Sequence, residues 1–114
     1  MPNTGIDPQT AHAAHVFMQR VGNRYAVSRA ILFGSRARHT HRADSDADIA
    51  VVIRGTHDKR TAVALDMAGI AFEVLLDTGV LVEPLPLWED ELEHPEQFSN
   101  PALIDAIRNE GIPL

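Results

Sequence analysis

The stretch from Ile31 to Ile53, ILFGSRARHTHRADSDADIAVVI, limits what this chain can fold into more than any other part of it. Two short apolar runs, Ala30 to Phe33 and Ile49 to Ile53, are bounded by turn signals and read as buried strands. Gly34-Ser35 breaks the first run, and Asp46-Ala47-Asp48 opens the second. A glycine at a strand end lets the backbone turn sharply and lets a ligand come close. Ser35 is suited to cap a helix starting at Arg36, and the N–H groups of a helix start attract anions. Arg36 and Arg38 add forked donors that match phosphate. Asp46 and Asp48 lie two apart, so their side chains share one face of a strand. Carboxylates placed this way repel one another unless a cation lies between them. Hard oxygen ligands suit Mg²⁺, whose shell is commonly completed by phosphate oxygens and water.

The rest of the composition narrows the setting. At 114 residues the chain has material for one core, and its 45% hydrophobic content is that of a globular domain. Cysteine is absent, which excludes disulfides and thiolate metal sites. Charged residues interrupt every apolar run, so no membrane span is expected. The N-terminus lacks a basic start followed by an apolar segment, which makes the cytoplasm the default location. The net charge of −6 argues against general nucleic-acid binding. The Lys and Arg residues are nevertheless concentrated between Arg20 and Arg60, and such a segment suits a nucleotide or half of a protein interface.

Along the chain, residues 1–8 read as a flexible N-terminus and 9–114 as one domain. Ala13, Val16, Phe17 and Val21 give a helical period from Gln9 toward Val27, with Gly22-Asn23 loosening its end. His12 with His15 on that helix, and His39 with His41 in the loop, read as surface histidines rather than metal ligands. Arg60 to Leu76 reads as a helix capped by Thr56 or Asp58, with Leu65, Ala68, Gly69, Phe72, Leu75 and Leu76 on one stripe and Gly79 closing it. Glu73 and Asp77 read as solvent-facing. Val80 to Leu87 reads as a third strand, irregular or at an edge because Pro84 and Pro86 cannot donate ladder hydrogen bonds. Trp88 to His94 is a short acidic helix or turn. Asn100-Pro101 opens a last helix that Gly111 ends.

Gly34-Ser35, ten residues, then Asp46-Ala47-Asp48, with an apolar strand on either side, resembles the minimal members of the nucleotidyltransferase superfamily with the DNA polymerase beta-like fold. The resemblance implies an α/β (α+β) fold, a small mixed sheet of about three strands packed by helices. It implies that Asp46 and Asp48 hold Mg²⁺, with Gly34, Ser35, Arg36 and Arg38 around the phosphates of ATP. It also implies a third carboxylate on the next strand, which helps bind the metal and deprotonate the acceptor; Glu83 is the only acid there, one carbon longer than the usual Asp. A glycine often stands in the family where His39 stands here. Many such minimal proteins resemble antitoxins that act beside a helical HEPN-type toxin, and some attach AMP to a tyrosine of that partner. The expectation is therefore a Mg²⁺-dependent adenylyltransferase acting on a HEPN-type partner. A partner that neutralises by contact alone, a transferase for aminoglycoside-like small molecules and a structural subunit with a relic motif stay open, as does homo-oligomerisation.

Overall fold

The structure, a computed structural model, describes residues 6–114. Residues 1–5 of the N-terminal segment lie outside that range. Helix α1 runs from Pro8 to Gly22, with the Asp7 carboxylate accepting from the Thr10 N–H at its start. It ends earlier than the periodicity suggests, because Val27 is drawn into strand pairing opposite Ile53. Strand β1 (Val27–Phe33), the single-turn helix α2 (Ser35–Arg38) and strand β2 (Ala47–Ile53) then form an antiparallel pair around the motif. Helix α3 (Arg60–Thr78) crosses back to β3 (Val82–Trp88), which lies parallel to β2. A crossover helix is the usual way to join parallel neighbours.

With β4 (Ile112–Pro113), the sheet order is β3-β2-β1-β4, so the described residues form four strands rather than about three. The additional strand, β4, is two residues long and pairs antiparallel with Leu32 and Ile31. Two residues carry no alternation that a sequence pattern could reveal. Strand β3 forms the other edge. The Ala47 N–H donates to the Leu81 carbonyl at 2.9 Å, which sets the register so that odd-numbered β3 residues donate to β2. Pro84 and Pro86 therefore place their missing donors on the open edge, where nothing is lost.

Strand alternation sorts the core into two layers. Leu32, Ile49, Val51 and Val82 face α1 and α3, where they meet Phe17, Val21, Met67, Ile70 and Val74. Ile31, Ala50, Val52 and Leu87 face the opposite way. There they are covered by Leu92 of α4 (Glu89–Glu93), by Phe98, and by Ile104 and Ile107 of α5 (Pro101–Glu110). Helix α5 starts as its sequence suggests, with the Asn100 side chain accepting from the Leu103 N–H and Pro101 at the first position.

Helix α3 departs from expectation in the face it buries. Its buried residues are Met67, Ile70, Ala71 and Val74, whereas Leu65, Phe72 and Leu76 are 70%, 57% and 70% exposed. The helix is apolar on two sides, and both stripes satisfy the 3.6-residue period. Polar ties to α1 and to the turn that follows it accompany the choice between them. Asp66 accepts from the Arg24 guanidinium and the Tyr25 hydroxyl, and Asp77, solvent-facing as expected, pairs at the surface with Arg20. The helix starts after Lys59, without the side-chain cap foreseen at Thr56 or Asp58, and Gly79 closes it in the left-handed conformation.

Candidate active site

Three strands bring one residue each to a common row. Phe33 on β1 stands opposite Asp48 on β2, and Asp48 stands opposite Glu83 on β3. Register partners point to the same face of a sheet, here the one covered by α5. Asp46 lies just before β2 with the same parity as Asp48, so the three acids converge at the open end of this face. Their electrostatics record the convergence. Partial burial, then the charges of Glu83 and Asp46, push the Asp48 carboxyl up to about 6, against a lowering pull from Arg38. Burial and the Asp46 carboxyl, within hydrogen-bonding reach, raise Glu83 above its ordinary value.

Gly34 carries the close approach. Its φ of 76° and ψ of −157° fall in a region that is essentially glycine's alone. A Cβ there would stand 2.2 Å from Asp48 Oδ2. Gly34 itself is the N-cap of α2, and Ser35 is the first helical residue rather than the cap. Gly34→Ala is expected to cost about 1–3 kcal/mol of stability through backbone strain. It should also displace the Asp48 carboxylate. The check is a denaturant melt beside a measurement of Mg²⁺-dependent ATP binding, with binding weakened by more than the stability loss explains.

The two arginines of the motif part ways. Arg38 is half exposed, reaches Glu110 at 3.7 Å and acts on the charge of Asp48, so it faces the carboxylate row. Arg36 does not. It is 1% exposed, and its guanidinium donates to the Ser45 carbonyl at 2.9 Å, the Ala43 carbonyl at 3.2 Å and Thr10 Oγ1 at 2.8 Å. Those donors are spent on the loop that leads into Asp46, which corrects the expectation of a phosphate contact. The Thr10 hydroxyl passes the connection on to Asp7 at 2.6 Å. Arg36 thus fixes the loop between the two halves of the motif from inside. His39 ends α2 at φ 60°, a left-handed position, which is the physical reason a glycine suits that place.

Among the described residues no three His, Asp or Glu side chains stand ready-assembled as a metal cage. Mg²⁺ asks for less: one or two carboxylates, with water and substrate phosphates supplying the rest. Asp48, its proton affinity raised by burial and then by two neighbouring carboxyls, fits that demand, and Asp46 or Glu83 is available beside it. A larger groove of about 430 Å³ lies between α1 and the β1–β4 edge, lined by His15, Met18, Arg29 and Leu114 among others. It contains none of the three acids.

The profile of the family described as polymerase beta, nucleotidyltransferase matches residues 18–83, more than half of the chain, in a span that ends on Glu83. The chain belongs to that nucleotidyltransferase family. A solved structure of a candidate nucleotidyltransferase from Sulfolobus solfataricus has the same fold, with a TM-score of 0.53 at 17% identity. The alignment covers 97% of this chain and 90% of that one. No curated protein matches the chain significantly. The nucleotidyltransferase fold accounts for the mixed sheet, with the Gly-Ser turn at the end of β1 and the paired aspartates at the start of β2. Among the described residues, no helix is long and apolar enough to cross a membrane.

The sequence did not single out Phe33, Leu85 or Leu103, which flank the carboxylates. Strand alternation back from Asp48 could have suggested Phe33, its neighbour across the ladder. Leu103 carries no such signal, because the docking of α5 is a tertiary fact.

Proposed function

We propose that this chain is a Mg²⁺-dependent nucleotidyltransferase that moves AMP from ATP to a tyrosine of a helical HEPN-type partner. The observation that carries this reading is the row of Asp46, Asp48 and Glu83 beside the Gly34-Ser35 turn. The reaction needs an acceptor oxygen to attack the α-phosphorus while pyrophosphate leaves. Positioning and charge neutralisation make up most of such catalysis. Asp48 and Asp46 would hold the metal, which supplies positive charge to the triphosphate and polarises the attacking oxygen. The Ser35 hydroxyl and the Arg38 guanidinium would hold the distal phosphates. Glu83, whose carboxyl has raised proton affinity, would take the acceptor's proton. Arg36 touches no substrate in this scheme and keeps the loop before Asp46 in shape.

A second reading is favoured by the exposed apolar side of α3, with Leu65, Phe72 and Leu76 in solvent: an antitoxin that neutralises its partner by contact alone. Mass spectrometry of the partner, recovered after coexpression, separates the two. Transfer gives a tyrosine carrying AMP with the wild type and none with Asp46→Asn/Asp48→Asn. An unmodified partner that is still neutralised by both proteins supports contact alone.

A further inference from the structure

The carboxylate row opens into a cavity of about 220 Å³ lined by Phe33, Asp48, Glu83, Pro84, Leu85 and Leu103. Its floor is the α5-side face of the sheet, and Leu103 of α5 forms one wall. Four of the six lining residues are apolar, and the other two are acids. No cationic side chain lines it, so an anionic ligand could be neutralised there only through the metal that Asp48 would hold, and in the proposed reaction the triphosphate takes that charge. A sugar-like ligand would turn hydroxyls toward Phe33, Leu85 and Leu103, where no partner meets them, at a cost. An uncharged ring with one polar atom satisfies both ends, its body against the apolar wall and its polar atom among the carboxylates.

Size and connectivity decide between the two rings of the proposed reaction. Sites for whole small molecules run to about 300–1,000 Å³, so this cavity takes one ring and not a nucleoside. A nucleobase is also held away from the α-phosphorus by its ribose. A phenol carries the attacking oxygen directly on the ring. We infer that this cavity is the acceptor subsite, and that Phe33, Leu85 and Leu103 select a phenol, as on a protein tyrosine, with its oxygen beside Glu83. The inference rests on the transfer reaction proposed above and adds where its acceptor binds. In the step, the phenolic O–H bond breaks as its proton passes to the Glu83 carboxylate. The oxygen forms a bond to the α-phosphorus, the bond from that phosphorus to the bridging oxygen breaks, and pyrophosphate leaves with the electron pair.

The test is a titration of protein carrying ¹³C-labelled leucine methyls with N-acetyl-tyrosinamide and, in parallel, N-acetyl-serinamide. Saturable shifts at the Leu85 and Leu103 methyls are expected with the tyrosine compound, and at least tenfold weaker binding of the serine compound. Leu103→Trp should fill the cavity and weaken tyrosinamide binding at least tenfold. Phe33→Ala, which removes bulk instead of adding it, should weaken it as well if the Trp variant does not fold. Absence of a saturable shift at these methyls, equal binding of the two amides, or binding that survives Phe33→Ala in a folded protein would overturn the assignment. Tyrosinamide bound as expected, in a protein that never transfers AMP, would leave the subsite standing and sink the transferase reading.

Discussion

Asp48→Asn is expected to lower AMP transfer by about a thousandfold or more, roughly 4 kcal/mol of transition-state stabilisation, while making the protein more stable at neutral pH. Both effects come from one cause. In the folded chain the Asp48 carboxyl is pushed from 3.8 up to about 6, by burial first and then by Glu83 and Asp46. Near and below pH 4 the folded and unfolded chains both carry the proton, and the site costs nothing. Between about pH 4 and 6 the unfolded chain releases a proton that the folded chain retains, so stability falls as pH rises. Above pH 6 the full cost is present. The undiscounted shift corresponds to roughly 3 kcal/mol, and solvent at this partly exposed site reduces it to about 1–2 kcal/mol. Asparagine keeps the shape and removes the charge. Its stabilising effect should be complete above pH 6 and vanish near pH 4, as read from urea midpoints across that range. Mg²⁺ should raise the melting temperature of the wild type and leave Asp48→Asn unchanged. A variant no more stable than wild type at pH 7.5 would contradict the account of the carboxylate row.

The largest stability loss is expected far from that row, at Arg60. Its guanidinium pairs with both oxygens of Glu91, whose side chain is 5% exposed, and donates to the Pro86 carbonyl at 2.7 Å. It lies 5.4 Å from the Trp88 ring centroid and 4.9 Å from that of Phe98. Glu91 also accepts from the Trp88 N–H at 3.2 Å. One side chain at the start of α3 therefore holds the end of β3, α4 and the turn before α5 together. Arg60→Ala leaves the Glu91 charge buried without its partner, a change that typically costs about 3–5 kcal/mol. Lysine keeps the charge but cannot form the fork and should recover only part of the loss. Arg60→Met/Glu91→Met removes both charges and should recover most of it. Denaturant midpoints for the three variants give the answer. A loss below about 1 kcal/mol in Arg60→Ala would show that the pair is solvent-screened after all.

The motif and its two strands were legible because their signals are local. Apolar runs, Gly34-Ser35 and the spacing of Asp46 and Asp48 are all contained in one stretch of chain. Glu83 was reachable because β3 is short and holds a single acid. Asn100-Pro101 and Gly79 were legible for the same local reason, as helix boundary residues with a defined backbone role. What escaped depends on choices between elements. The stripe on α3 containing Leu65, Phe72 and Leu76 fits the helical period as well as the buried one, and which of them packs is a tertiary outcome. Arg36 reads from sequence as a phosphate ligand and becomes an internal brace, because Thr10, Ala43 and Ser45 converge on it from distant positions. Glu91 sits in an acidic run that reads as solvated until Arg60 is brought to it across the fold.

The central claim, that the carboxylate row serves nucleotidyl transfer, is tested most directly by paired reactions with ATP labelled at the α- or the γ-phosphate. Each contains Mg²⁺ and the proposed HEPN-type partner, with Asp48→Asn alongside. Label is expected on that partner from α-labelled ATP alone, and none with the variant. Label from the γ-position would mean phosphorylation, and equal α-label with Asp48→Asn would mean chemistry elsewhere; either result would contradict that claim.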